Sequence, residues 1–151
     1  MGDHLELSNI DAIERCSLEG FPVNPFTDVV ISRHLDGELI GAVVFSDYVE
    51  ASINISIYGW HPRWISREFI AVCMDYPFNQ LGVERLFSRV REDLARALRI
   101  NLRFGLKPIA LIPDVYPGGV GVLVMKMERH ECRWLKLDPH RVYRMNGRLA
   151  A

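Results

Sequence analysis

Long apolar runs are missing from the 151 residues, and none approaches the roughly 18 positions that a membrane-spanning helix needs. The start, Met1-Gly2-Asp3-His4 followed by Glu6, lacks the basic-then-apolar order of a signal peptide. The expectation is a cytoplasmic protein with no membrane partner. Cysteine is scarce and odd in number: Cys16, Cys73 and Cys132 have no CxxC or Cys/His spacing suited to zinc. Reduced thiols and no metal site are expected. An excess of one charge is lacking too, since the net charge is -1 with 49% apolar and 25% charged residues, which excludes a disordered chain and argues against a general phosphate binder. No repeat of roughly 20–50 residues is present.

What is there is unevenly placed. Residues 1–50 hold 10 Asp/Glu against Arg15 and Arg33, a net of -8, whereas residues 51–151 hold 16 Lys/Arg against 9 Asp/Glu, a net of +7. The second part is therefore where an anionic ligand is sought. Of the 18 basic residues 15 are Arg. Their rigid donor forks suit phosphate or carboxylate, the plainer reading being a scatter of solvated side chains.

Residues 8–18 combine capping residues with Ile10, Ile13 and Leu18 on approximately one helical face. Residues 21–26 carry Pro22 and Pro25 and read as loop. From Asp28 the chain turns β-branched, and Asp36-Gly37 between two apolar runs is a hairpin signal. A third strand follows over residues 51–58, with Ile53, Ile55 and Ile57 on one face. Residues 66–76 have an N-cap in Ser66 and an acid in the first turn, which predicts a helix that Pro77 ends or kinks. Residues 83–90 read as a strand and 92–104 as an amphipathic helix that Gly105 terminates. Residues 106–112 and 120–127 close as an antiparallel pair around a turn-rich 113–119. A single domain over 1–135 is expected, then a basic C-terminal tail over 136–151 with Lys136, Arg141, Arg144 and Arg148.

The order is helix, three antiparallel strands, helix, strand, helix, two strands. Together with Tyr76-Pro77-Phe78-Asn79-Gln80-Leu81-Gly82-Val83 leading into a strand and Ala95-Arg96-Ala97-Leu98-Arg99 running to Phe104-Gly105-Leu106, it resembles the GNAT superfamily of acyl-CoA-dependent N-acetyltransferases over about residues 28–135. The stretch Met127-Glu128-Arg129-His130-Glu131-Cys132-Arg133-Trp134-Leu135 is similar to the small acetyltransferase-like proteins carried by bacteriophages, whose setting would be the host cytoplasm. The resemblance implies an α/β (α+β) fold with a mixed, mostly antiparallel sheet of about six strands. One parallel pair, 51–58 with 83–90, would be splayed, with helices flanking the sheet.

It also implies acetyl-CoA as cofactor. Ile57 would pair with the pantetheine arm through its backbone, and the pyrophosphate would meet the N–H groups of Trp64, Ile65, Ser66 and Arg67, with the Arg63 and Arg67 side chains alongside. The loop 62–67 holds no glycine, and Asn101 stands where the family often has a proton-donating Tyr. Acyl transfer needs a base for the amine proton and an acid for the departing thiolate. His61 and Tyr58 are the candidates for those roles, Glu50 being a weaker base. The plainer reading has His61 capping a turn and Tyr58 packed on the sheet. Trp60 and Trp64 either line an acceptor pocket or belong to the core. Neither Cys73 nor Cys132 has an activating base.

The function expected is transfer of acetyl from acetyl-CoA to a primary amine of a small molecule or protein. The alternative is an inactive GNAT-like module that binds protein or nucleic acid, for which no helix-turn-helix or finger spacing is present. A homodimer through 120–127 or Trp134-Leu135 is a further possibility raised by their apolar character.

Overall fold

A computed structural model describes residues 2–137; the expected tail arginines 141, 144 and 148 lie outside them. Seven strands form one sheet in the order β1-β2-β3-β4-β5-β7-β6. They are β1 (Asp3–Leu7), β2 (Val29–Leu35), β3 (Glu38–Ser46), β4 (Ser52–Gly59), β5 (Arg85–Arg91), β6 (Lys107–Tyr116) and β7 (Val120–Glu128). Three helices flank it: α1 (Ile10–Glu19), α2 (Arg67–Asp75) and α3 (Ala95–Phe104). Every neighbouring pair is antiparallel except β4 and β5. That is the mixed sheet with one parallel pair expected from the order of elements.

The seventh strand is β1, an edge strand paired along β2 from Asp3↔Leu35 to Leu7↔Ile31. Only Leu5 of its five residues is buried, so its sequence carries too little alternation to be read as a strand. The Asp36-Gly37 turn has positive φ at both residues, 50° and 84°, as a tight hairpin between right-twisted strands requires.

Asn9 caps α1, its side chain accepting from the Ala12 N–H at 3.0 Å. The face that α1 buries is not the one its large apolar residues suggest. Ile10 and Leu18 are 64% and 87% exposed, while Ala12 and Cys16 are fully buried against Val30, Ala42 and Val44. Small side chains let the helix lie close on the sheet.

Helix α2 lies over the main core, and all of Phe69 to Met74 are buried. It is apolar all round because the sheet covers one side and the segment with Cys132 and Trp134 closes over the rest. Pro77 does not stop the chain at once. A wide π-type turn, Tyr76–Leu81, follows and ends at Gly82, whose φ of 76° favours glycine.

Trp134 is 7% exposed and its indole N–H donates to the Phe104 carbonyl at 2.7 Å, so it belongs to the core. Strand β7 lies between β5 and β6, with Met125 and Met127 buried. Neither is the free apolar surface that the sequence suggested for a dimer. Four of the exposed apolar side chains, Ile109, Leu111, Ile112 and Val115, instead lie together on the edge strand β6. No helix among the described residues is long and apolar enough to cross a membrane.

Candidate active site

The parallel ladder between β4 and β5 is short. It pairs Ser52 with Arg85, Ile53 with Leu86 and Asn54 with Phe87, and goes no further. Each strand stays paired on its outer side, β4 with β3 as far as Gly41↔Gly59 and β5 with β7 as far as Arg91↔Val122. The two halves of the sheet therefore part, and backbone of residues 55–59 faces backbone of 88–91 across a gap.

A cavity of about 280 Å³ fills the gap, lined by Ile57 and Tyr58 of β4, Ser88 and Arg89 of β5, Asn101 of α3 and Phe21 after α1. A second hollow of about 280 Å³ shares Ile57 and Tyr58 and runs past Gly59 and Trp60 to Arg96 and Ile100 of α3. A third, of about 230 Å³, shares Phe21, Ser56, Tyr58 and Arg89 with the first and is bounded by Asp28 and Asp47. Tyr58 borders all three.

The Tyr58 ring stacks on Trp60 with centroids 6.2 Å apart, and the Arg15 guanidinium lies 4.2 Å above Trp60. Its hydroxyl abuts Gly20, where any Cβ would collide with it. Burial pushes the phenol up to about 12, and the nearby Cys16 adds to this. It therefore stays protonated at neutral pH and can give a hydrogen bond or a proton. Beside it Ser88 Oγ donates to Asn101 Oδ1 at 2.8 Å, and Asn101 Nδ2 donates to the Ala97 carbonyl at 2.8 Å. Both side chains are buried, so this polar pair stands inside an otherwise packed wall.

Of the residues singled out in the sequence, Ile57 and Tyr58 line the cleft. His61, Arg63, Trp64, Ile65, Ser66 and Arg67 lie beyond it, in the loop after β4 and the start of α2. His61 Nδ1 accepts from the Arg63 N–H at 3.0 Å and shapes that loop.

Trp64 points inward, 3% exposed, and its ring stacks on Phe104. It is core, and it leaves the outer surface of the loop open. The Trp64 N–H is engaged by the His61 carbonyl, and the Ser66 side chain caps Phe69 N–H at 3.1 Å. Arg63 and Arg67 are exposed, while Glu50 sits in an exposed turn with φ 68°.

Sequence reading missed Gly20, Phe21, Ser88 and Arg89 as parts of the cleft. Gly20 had a signal as the stop of α1, but nothing local marks a strand residue that the splay exposes. All three cysteines are free and buried. Burial raises each thiol, to about 12 at Cys16, which makes them poor nucleophiles.

No protein-family model matches the sequence. No curated protein matches it either. Solved structures do resemble the fold. A GNAT-family acetyltransferase from Bacillus anthracis superposes with a TM-score of 0.57 at 17% identity, covering 68% of this chain and 67% of that one. YncA, described as an acetyltransferase from Salmonella typhimurium with its cofactor acetyl-CoA, gives 0.66 at 12% identity, covering 85% and 94%. A chimera of the Vibrio cholerae spermidine N-acetyltransferase SpeG and hSSAT gives 0.67 at 13% identity, covering 91% and 100%. The chain has the GNAT fold, with a seven-stranded mixed sheet, one parallel pair and three helices.

Proposed function

We propose that the protein is a GNAT-type N-acetyltransferase that moves an acetyl group from acetyl-CoA to a primary amine. The observation that carries the reading is the end of the β4–β5 ladder at Asn54↔Phe87, which leaves a strand edge beside a buried phenol in the cavity of the gap.

The residues present fit acetyl-CoA by their chemistry. Unpaired backbone at Ile57 offers an amide edge to a pantetheine arm, which is itself a chain of amides. The start of α2 offers N–H groups at Ile65, Ser66 and Arg67 to a pyrophosphate, and the exposed Arg63 and Arg67 add charge. Arg96 borders the hollow that joins cleft and loop. Acetyl-CoA supplies the activated acetyl group when bound. The protein holds the two substrates together, and Tyr58, protonated and facing the cleft, gives the proton that the departing sulfur needs. His61 lies in the loop beyond the cleft, with its Nδ1 accepting the Arg63 N–H, so the amine proton leaves to solvent.

The amine enters from the third hollow, where Asp28 and Asp47 favour a cation. A small cationic amine suits it better than a neutral one. Calorimetric titration with acetyl-CoA, followed by thiol release on incubation with a panel of primary amines that includes spermidine, tests the reading. Binding in the micromolar range and amine-dependent release support it. The absence of acetyl-CoA binding refutes it and leaves a GNAT-fold binding module.

A further inference from the structure

Three strands away from the cleft, the ladder between β1 and β2 brings together side chains far apart in sequence. His4 stands opposite His34, and Glu6 stands opposite Ser32. Residues two apart on a strand share a face, so all four side chains project to the side that α1 covers. Glu6 Oε2 lies 3.0 Å from His4 Nε2 and 3.3 Å from His34 Nε2, and the three donor atoms are all within 4.8 Å of one another.

We propose that His4, Glu6 and His34 form a binding site for a divalent first-row transition ion of the Zn²⁺ type. Two imidazoles and a carboxylate are a common donor set for such an ion. With bonds of roughly 2.0–2.2 Å, tetrahedral donors stand about 3.3–3.5 Å apart, close to the spacing of Glu6 Oε2 from the two rings. The rings themselves are stacked at 17° with centroids 5.1 Å apart. His4, the more exposed of the pair, has room to turn its Nε2 toward a shared ion.

The surroundings orient the ligands. Asn9 Nδ2 donates to Glu6 Oε1 at 3.2 Å, which turns the other carboxylate oxygen to the histidines. Ser32 Oγ, 2.9 Å from His34 Nε2, also reaches the Glu6 carbonyl at 3.4 Å and can turn to it when an ion takes the imidazole nitrogen. Asp11 adds negative charge near His34.

Three protein ligands leave a fourth position for water. The ion would pin the edge strand β1 to β2.

The test uses the full chain without an affinity tag, dialysed against EDTA. Titration with Zn²⁺ should show one saturable site per chain, and Co²⁺ should give the visible bands of a tetrahedral N/O site without a sulfur charge-transfer band. Glu6→Gln and His4→Ala, at partly exposed positions, should each weaken Zn²⁺ binding by about tenfold or more, since even outer-shell changes cost that much. Their metal-free circular dichroism should match that of the unaltered protein. The heat-denaturation midpoint should rise with Zn²⁺ in the unaltered protein and much less in the variants. No saturable binding, equal binding by the variants, or a Co²⁺ sulfur band overturns the proposal.

Discussion

The indole of Trp64 occupies the space that a side chain on Gly59 would need, and any Cβ there would overlap its ring. Gly41, the cross-strand partner of Gly59, has the same relation, with a Cβ falling 2.6 Å from Trp64 Cε3. The two glycines make a slot at the end of the β3–β4 ladder that draws the loop after β4 onto the sheet. Gly59→Ala should cost about 1–3 kcal/mol by overpacking, and Trp64→Ala about 3–5 kcal/mol by leaving a cavity. Urea denaturation of Gly59→Ala combined with Trp64→Leu should show less loss than the two singles added.

Arg33 is tied to the same loop from below. Its guanidinium makes two bonds to Asp3, at 3.0 and 2.8 Å, and donates to the Trp64 carbonyl at 2.8 Å and to Ser66 Oγ at 3.2 Å. Asp3→Ala should destabilise by about 3 kcal/mol, the lower end for breaking a buried pair, because the Asp3 side chain is 30% exposed. A denaturation midpoint equal to that of the unaltered protein would show that the pair contributes nothing.

In an active acetyltransferase, Tyr58→Phe should lower turnover by about 10²-fold with little change in acetyl-CoA affinity, the usual worth of a positioned acid. Gly20→Ala, which pushes on the Tyr58 hydroxyl, should also lower turnover, and Tyr58→Phe should relieve part of the added strain. His61→Ala, in the loop beyond the cleft, should leave turnover within a few-fold of the unaltered protein, and a loss of about 10²-fold would make it the base after all. Full activity in that variant would place amine deprotonation in solvent.

Arg63 and Arg67 are exposed and make no contribution to the packed core. Replacing both by Ala should leave the fold intact and weaken acetyl-CoA binding by about 1.5–3 kcal/mol per charged hydrogen bond lost. Calorimetry with acetyl-CoA and with a CoA fragment lacking the pyrophosphate reads this directly. Equal losses for both ligands would move the anion site elsewhere.

His34 makes stability depend on pH. Its folded value lies below 6.5, chiefly through burial and also through His4, although Glu6 and Asp11 pull it upward. The unfolded chain therefore binds more protons as pH falls below 6.5, so stability is complete above that value and declines as pH drops through the folded one. Urea midpoints in EDTA should fall between about pH 7.5 and 5, and His34→Gln should flatten the change. A flat profile in the unaltered protein would show that the histidine has the same affinity for protons folded and unfolded.

Elements set by neighbours along the chain were legible in the sequence: the Asp36-Gly37 hairpin, the Ser66 cap, the Gly105 stop, and the strand, helix, strand order that makes β4 and β5 parallel neighbours. Ile57 and Tyr58 were placed near a splay only by what the resemblance to the GNAT superfamily implies. What depended on partners distant in sequence was not legible. Strand β1 has one buried side chain and exists because β2 supplies its hydrogen bonds. The face that α1 buries was decided by closeness to the sheet rather than by side-chain size, which is why Ala12 and Cys16 lie inside and Leu18 outside.

Trp64 beside charged residues reads equally as ligand-binding or core until Gly41 and Gly59 form its slot. The His4, Glu6 and His34 grouping likewise arises from the register of a ladder. Local rules act through φ/ψ preferences and period, which one stretch of chain carries alone. Burial, cavity walls and donor clusters are instead properties of surfaces brought together from separate stretches, and only the folded chain fixes which surfaces meet.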